Sequence, residues 1–169
     1  DGFRADHMAI SPNGRRLLVS ASTSRVVDVI ERVRDLVAPD SRAAGWLVAR
    51  LAAARYFETG DYEAASHRFA QALAIAHSAG DEALELRTLA LGTAVDHFDL
   101  RWSGVLQKSQ RVIHLARMID DPHAETYARY RLAYALAYTG RATEAWPEAR
   151  MNLAEAERLA DEGLLEDAL

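Results

Sequence analysis

The chain has 169 residues, of which half are hydrophobic and 27 % are charged, and its formal net charge is −5. A chain of this size can bury a sizeable core, and its acidic balance argues against a nucleic-acid surface, which is normally a basic patch. Because cysteine is absent, disulfides, thiolate metal sites and cysteine nucleophiles are excluded. No apolar run approaches the ~20 residues of a membrane span. The first residue is Asp1 and no signal-peptide pattern follows it, so we expect a cytoplasmic fragment of a longer protein.

Residues 1–22 differ in pattern from the rest of the chain. Two short apolar stretches, at 8–10 and 17–21, flank the turn sequence Ser11-Pro12-Asn13-Gly14. This arrangement predicts a β-hairpin. The phrase HMAISPNGRRLLVSAS resembles one blade edge of a β-propeller. Because an isolated hairpin is only marginally stable in water, we expect it to dock on the helices, pair with another copy or be poorly ordered.

The next segment, 23–38, has apolar residues at helical spacing. They are Val26, Val29, Ile30, Val33, Leu36 and Val37. Pro39 restricts the residue before it and ends the segment. We interpret 23–38 as half of a repeat that caps the helices after it.

Residues 42–80 read as two helices, about 42–58 and 62–79, folded back on each other at Thr59-Gly60-Asp61. Ser41 is an expected N-cap and Gly80 an expected C-cap. Small residues on the apolar stripe of the second helix, such as Ala65, let two helices approach closely. The pattern therefore predicts an antiparallel helical hairpin.

This hairpin recurs with a period of 40 residues, which is typical of a solenoid. Matching positions are Gly60, Leu100 and Gly140, then Ala65, Val105 and Ala145, then Leu73, Ile113 and Leu153. The register predicts further helices at about 82–98, 102–119, 122–139 and 143–162. Asp121 is an expected N-cap before Pro122. Thr143 as the last N-cap would place Pro147 at the edge of a first turn, and Asn152 occupies an otherwise apolar position.

The residues Tyr56, Gly60-Asp61-Tyr62, Ala65, Phe69 and Ala72-Leu73 resemble a tetratricopeptide repeat (TPR). The 40-residue period is longer than the ~34 residues of that family. It is similar to the TPR-like arrays of large bacterial LuxR-type transcriptional regulators and related signalling ATPases. The resemblance implies an all-α, right-handed TPR-like α-solenoid over 23–169. Its repeats would span about 42–80, 82–120 and 122–162, with the half-repeat 23–38 and the hairpin-like segment 1–22 before them.

Motifs for chemistry are missing from the sequence. It has no glycine-rich phosphate loop, no Gly-x-Ser-x-Gly elbow and no His-Glu-x-x-His. Two local groups of acids and histidine occur, at 96–99 and 120–123, but neither supplies three or four converging metal ligands. We interpret both as caps or solvated loops, and we expect no catalytic residue, no metal and no cofactor.

Four tyrosines follow one face of the helix at 122–139. They are Tyr127, Tyr130, Tyr134 and Tyr138, at i, i+3, i+7 and i+11. By the 40-residue register, a TPR-like groove would also present Arg50, Phe57, Arg87, His97 and Phe98. Tyrosine and arginine often carry binding energy at interfaces. In the alternative interpretation the tyrosines pack between helices, with their hydroxyls reaching water.

Two functions fit these patterns. The first is a non-catalytic scaffold or sensor module of a multidomain bacterial regulator, which binds a protein, a peptide or a small effector. The second is the accessory helical part of a β-propeller-containing enzyme or binding protein. We also expect self-association through the N-terminal hairpin or the last helix, where Leu153, Ala156 and Leu159 form an apolar face, unless residues 164–169 cover that face.

Overall fold

The computed structural model of the protein describes residues 7–10, 17–20, 23–34 and 36–160. Two short strands, β1 (His7–Ile10) and β2 (Leu17–Ser20), pair antiparallel with His7 opposite Ser20. The predicted turn at 11–14 and the segment 164–169 lie outside the described residues. The rest of the described chain is helical apart from residues 36–41 and the short turns between helices.

Seven helices follow in order. They are α1 (Thr23–Arg34), α2 (Arg42–Thr59), α3 (Tyr62–Ala79), α4 (Glu82–Phe98), α5 (Trp102–Met118), α6 (Pro122–Tyr138) and α7 (Ala142–Leu159). The predicted helical class is thus confirmed for the described residues. The predicted bounds of α2 to α7 agree with the structure to within one helical turn.

The backbone repeats at half the period found in the sequence. From α2 onward, helices begin at residues 42, 62, 82, 102, 122 and 142, a spacing of 20 residues. Residues 60, 80, 100, 120, 140 and 160 all have positive φ, between 50° and 77°. A residue in this left-handed conformation commonly ends a helix, and glycine fits it best. Leu100, which shares a place in the register with Gly60 and Gly140, takes the same conformation although its turn lacks the glycine and was expected to be less regular.

Short-range capping fixes most helix starts. Side chains of Ser41 and Asp121 accept backbone N–H bonds from the residues three positions later, which confirms both predicted N-caps. The predicted cap at Thr143 is wrong, because α7 begins directly after Arg141, which makes no side-chain cap. Pro147 consequently lies inside the helix, where its missing N–H removes one backbone bond.

Helix α1 differs from its prediction. It ends at Arg34 rather than near 38, and Leu36 is 82 % exposed. Its buried residues are Val27 and Ile30, which pack with Leu51 of α2, whereas Val29 and Val33 are exposed. Because α1 packs on α2 alone among the described helices, only a narrow strip of its surface is buried. The predicted stripe is therefore confirmed at Ile30 and wrong at Val29, Val33 and Leu36.

The helices form two rows. Each helix packs on the next one along the chain, and in addition α2 packs on α4 and α4 on α6. Within the described chain, no comparable packing joins α3 to α5 or α5 to α7. The even-numbered helices α2, α4 and α6 are thus close neighbours in one row, and the outer side of this even row is a continuous surface.

Alanines lie where the helices meet. Ala49, Ala52, Ala65, Ala72, Ala76, Ala116 and Ala156 are each at most 1 % exposed. In such tight contacts, added methylenes force strain of about 1–3 kcal/mol. We therefore expect Ala65→Leu to lower the melting temperature by several degrees. Ala70→Leu, at an exposed position of the same helix α3, should leave it nearly unchanged, and equal effects would contradict the packing.

Candidate functional site

All four predicted tyrosines lie on the outer side of α6. Neighbouring rings are in contact, with centroids 6.5 Å apart for Tyr127–Tyr130, 5.9 Å for Tyr130–Tyr134 and 4.8 Å for Tyr134–Tyr138. Tyr138 is 62 % exposed, and the other three are half-buried. The rings form a ladder that leaves part of each side chain accessible, as the predicted face requires.

The ladder continues across the even row. The ring of Tyr134 lies 4.8 Å from that of His97 on α4, and His97 contacts Phe98. Phe98 in turn meets Phe57 of α2 edge-on at 5.3 Å. Phe57 and Phe98 are both more than half exposed. Seven of the nine predicted residues therefore form one contiguous surface from α2 to α6.

Trp102 belongs to this surface, although the sequence pattern did not indicate it. As the first residue of α5, it stacks on Tyr138 at 4.8 Å and meets His97 edge-on at 5.5 Å. A shallow cavity of about 160 Å³ lies here, lined by His97, Phe98, Leu100, Trp102, Tyr134 and Tyr138. We call the surface formed by Phe57, His97, Phe98, Trp102, Tyr127, Tyr130, Tyr134 and Tyr138 the aromatic face.

Arg50 and Arg87 make different contacts from those expected. Both guanidinium groups lie 5.6 Å from the ring centroid of Trp46. Arg87 precedes Phe98 by eleven residues on α4, or ~16 Å along the axis. A second cavity of about 320 Å³ is lined by Arg42, Ala43, Trp46, Leu84 and Arg87. The predicted arginines therefore form a separate cluster with Trp46. This cluster lies nearer the first residues of α2 and α4, whereas Phe57 and Phe98 lie close to the last residues of these helices.

Arg131, which the sequence pattern also missed, lies under the tyrosine ladder. It is 8 % exposed, and its guanidinium carbon is 5.0 Å from the Tyr127 ring centroid, 5.3 Å from Tyr130 and 5.8 Å from Phe98. Its Nη2 donates to the Tyr127 hydroxyl at 2.5 Å, while Nε has no partner. In the 40-residue register, Arg131 occupies the place of Leu51 and Leu91. The sequence did contain an indication of its importance, because a charged residue stands at a repeat position that is leucine in the other two repeats.

His97 is the titratable group at the centre of the aromatic face. Burial, together with the positive charge of Arg131, lowers the pKa of His97 from its ordinary value of 6.5. Its Nδ1 atom is buried and has no hydrogen-bond partner within the described structure. A neutral imidazole at physiological pH is the consequence.

This lowered pKa makes a testable contribution to stability. The unfolded chain binds the proton more readily, so the contribution is complete above pH ~6.5 and falls as the pH drops toward the folded-state pKa. We expect His97→Gln to lose less stability than the wild type between about pH 7.5 and pH 5.5. Urea unfolding at both values measures this. His114→Gln, on the exposed side of α5, should follow the wild type, and identical pH dependence in all three proteins would refute the assignment.

Asp96 is a structural residue, which corrects its interpretation as a cap or loop residue. It is 1 % exposed, and its carboxylate accepts from Lys108 Nζ at 2.5 Å and from the Tyr62 hydroxyl at 2.9 Å. Burial, followed by this bond to Asp96, raises the pKa of Tyr62 to about 12. The network joins α3, α4 and α5 beside the 99–101 turn.

The described residues offer neither a metal site nor a membrane-spanning helix. No three side chains of His, Asp or Glu converge there as a metal would require. None of the described helices is long and apolar enough to cross a bilayer. No family model matches the chain, and no curated protein matches it significantly.

Proposed function

We propose that the chain is a non-catalytic binding module whose aromatic face takes a protein or peptide ligand. One observation supports this most: eight aromatic side chains from four helices form a continuous surface that stays partly exposed. A solvated surface of this composition is costly unless a partner covers it, because soluble proteins rarely leave large apolar patches open. Tyrosine, tryptophan and arginine also dominate binding hot spots.

The proposed architecture is a right-handed, TPR-like α-solenoid with the aromatic face on its concave side. The packing of the rows supports this shape. Even-row helices contact each other, whereas the described odd-row helices α3, α5 and α7 do not. Closer spacing in one row curves a stack toward that row, and such concave surfaces bind extended ligands.

The wider setting is proposed from the resemblance in sequence. The module would belong to a large cytoplasmic LuxR-type bacterial regulator, in which ligand binding at the array controls other domains. A small effector that fits the cavity of about 160 Å³ beside Trp102 is compatible with the same role. An accessory helical part of a β-propeller protein remains the alternative, and the full-length reading frame decides between them.

A selection experiment tests the binding role. Random peptides displayed on phage would be panned against the purified chain, and enriched peptides would be synthesised. We expect them to bind and to compete with one another for one site, because a single hot-spot surface should dominate. Failure to enrich any peptide above an unrelated helical protein, or enrichment of peptides that do not compete, would overturn the proposal.

We further propose that the chain self-associates through α7. Of the expected apolar residues, Ala156 is buried and Leu153 and Leu159 are half-buried, but Trp146 is 66 % exposed. Sedimentation equilibrium should show concentration-dependent association that Trp146→Glu abolishes. Met118→Glu, a change at an exposed apolar residue of α5, serves as the control. Monomers at every concentration, or equal effects of both variants, would contradict the proposal.

A further inference from the structure

Arg131 is a buried cation, and the described part of the chain offers it no counter-ion. Among the described residues, no carboxylate lies within 4.0 Å of its guanidinium. Most other arginines of α5 to α7 are in ion pairs, for example Arg129 with Glu125 and Glu148. Three aromatic rings and one tyrosine hydroxyl surround Arg131 instead.

These surroundings only partly compensate the charge. A buried ion without a carboxylate partner is destabilising, and cation–π contacts with a hydrogen bond offset part of that cost. The matching position in each of the two preceding repeats is a leucine, Leu51 and Leu91. An arginine at a position where the two preceding repeats have leucine departs from the local pattern, and such departures are expected at residues kept for function.

Arg131 places a positive charge against the aromatic face, in a chain that is acidic as a whole. The thirteen groove positions assigned by the register include Arg50 and Arg87 and contain no Asp or Glu; they are 47, 50, 54, 57, 87, 90, 94, 97, 98, 127, 130, 134 and 138. Neither arginine is paired with a described carboxylate; both lie over Trp46. Because Arg50 and Arg87 lie in the separate cluster at Trp46, the positive charge against the tyrosine ladder is that of Arg131, which favours an anionic group there.

We propose that Arg131 and Tyr127 form a subsite for a carboxylate carried by an apolar or aromatic peptide ligand. The Tyr127 hydroxyl accepts from Arg131 Nη2 and keeps its own proton to donate. A ligand carboxylate can thus accept from both the hydroxyl and the guanidinium, the charge-assisted geometry that makes arginine bonds strong. The ligand's rings would lie over Tyr130, Tyr134 and Phe98. The inference rests on the proposed binding role of the aromatic face.

Small probes test the subsite directly. Protein with ¹⁵N-labelled arginine and ¹³C-labelled tyrosine rings would be titrated with N-acetyl-phenylalanine and with its neutral amide, N-acetyl-phenylalaninamide. We expect the acid to shift the Arg131 Nε and Tyr127 ring resonances and to bind about tenfold more tightly than the amide. A glutamyl peptide with blocked ends supplies the carboxylate from a side chain instead, and comparison with the first acid shows which source fits better.

The Arg131→Met variant separates ligand binding from packing. We expect it to lose the preference for the acid while its melting temperature stays equal or rises, because removing an unpaired buried charge is neutral or stabilising. Arg131→Lys should keep part of the preference. An unchanged preference in Arg131→Met, or a marked fall in its melting temperature, would overturn the subsite.

The pattern of shifts distinguishes the two proposals. Equal binding of acid and amide at the tyrosines would overturn the carboxylate subsite and leave the binding face intact. No tyrosine shift with either compound would count against both. Binding of a single-stranded oligonucleotide at the tyrosines in preference to the acid would replace the peptide ligand by a nucleic acid, since stacked aromatic rings with arginine also suit bases.

Discussion

Replacement of Asp96 by alanine is expected to lower the free energy of unfolding by about 3 kcal/mol. The change leaves the Lys108 ammonium and the Tyr62 hydroxyl without their acceptor, in a place where the Asp96 side chain is 2 % exposed. Lys108 itself is 28 % exposed and can regain some hydration, which limits the loss. Urea unfolding measures the free energy, and Lys108→Met in the Asp96→Ala background should recover part of it.

Gly104 provides an independent test of the same network. A Cβ atom there would lie 2.1 Å from Asp96 Oδ2, so Gly104→Ala must expel the carboxylate. We expect this variant to lose about as much stability as Asp96→Ala, and the two losses to be strongly non-additive. Gly92→Ala is the control, because its Cβ would meet only ordinary contacts at 3.7 Å and alanine favours a helix. Simple additivity of the first two changes would contradict the network.

A double change in the tyrosine ladder, Tyr130→Ala with Tyr134→Ala, should weaken binding of a selected peptide by more than ~2 kcal/mol. Both rings lie at the centre of the aromatic face, between Tyr127, Tyr138 and His97. Because they are half-buried, we expect stability to fall by less than the roughly 3 kcal/mol that each fully buried aromatic would lose.

Isothermal titration and thermal unfolding of this one variant decide between a binding role and a packing role. Gln110→Ala with His114→Ala, on the exposed side of α5, is the matched control and should change neither quantity. A large loss of stability with unaltered affinity would show that the tyrosines serve only the fold.

The local features of the fold could be predicted from sequence because neighbouring residues determine them. Ser41 and Asp121 cap the helix that follows each of them, and Gly60 and Gly140 mark turns by their own conformational freedom. The 40-residue register then located the corresponding turn at Leu100, where leucine replaces the glycine of the other two turns. The exposed side of α1 was missed because α1 packs on α2 alone among the described helices, and that is a tertiary property.

The spacing of the tyrosines predicted their common face for the same local reason. Asp96 and Arg131 were missed because their importance lies in partners from other helices. Each is nevertheless a polar residue at a repeat position where the other two repeats have an apolar or aromatic residue. For Asp96 the matching residues are Tyr56 and Leu136, which are both buried. Asn152, whose departure from the pattern was visible, is likewise buried with an unpaired Oδ1. A comparison of matching positions across the three repeats would have indicated Asp96, Arg131 and Asn152.

The most direct test of the aromatic face uses the six tyrosines of the chain as reporters. Tyr56 and Tyr62 belong to the internal network around Asp96 and Asp99, whereas the other four form the ladder on α6. With ¹³C-labelled tyrosine rings, addition of a selected peptide should shift the four ladder resonances and leave those of Tyr56 and Tyr62 in place. Saturable binding with unshifted ladder resonances would contradict the account.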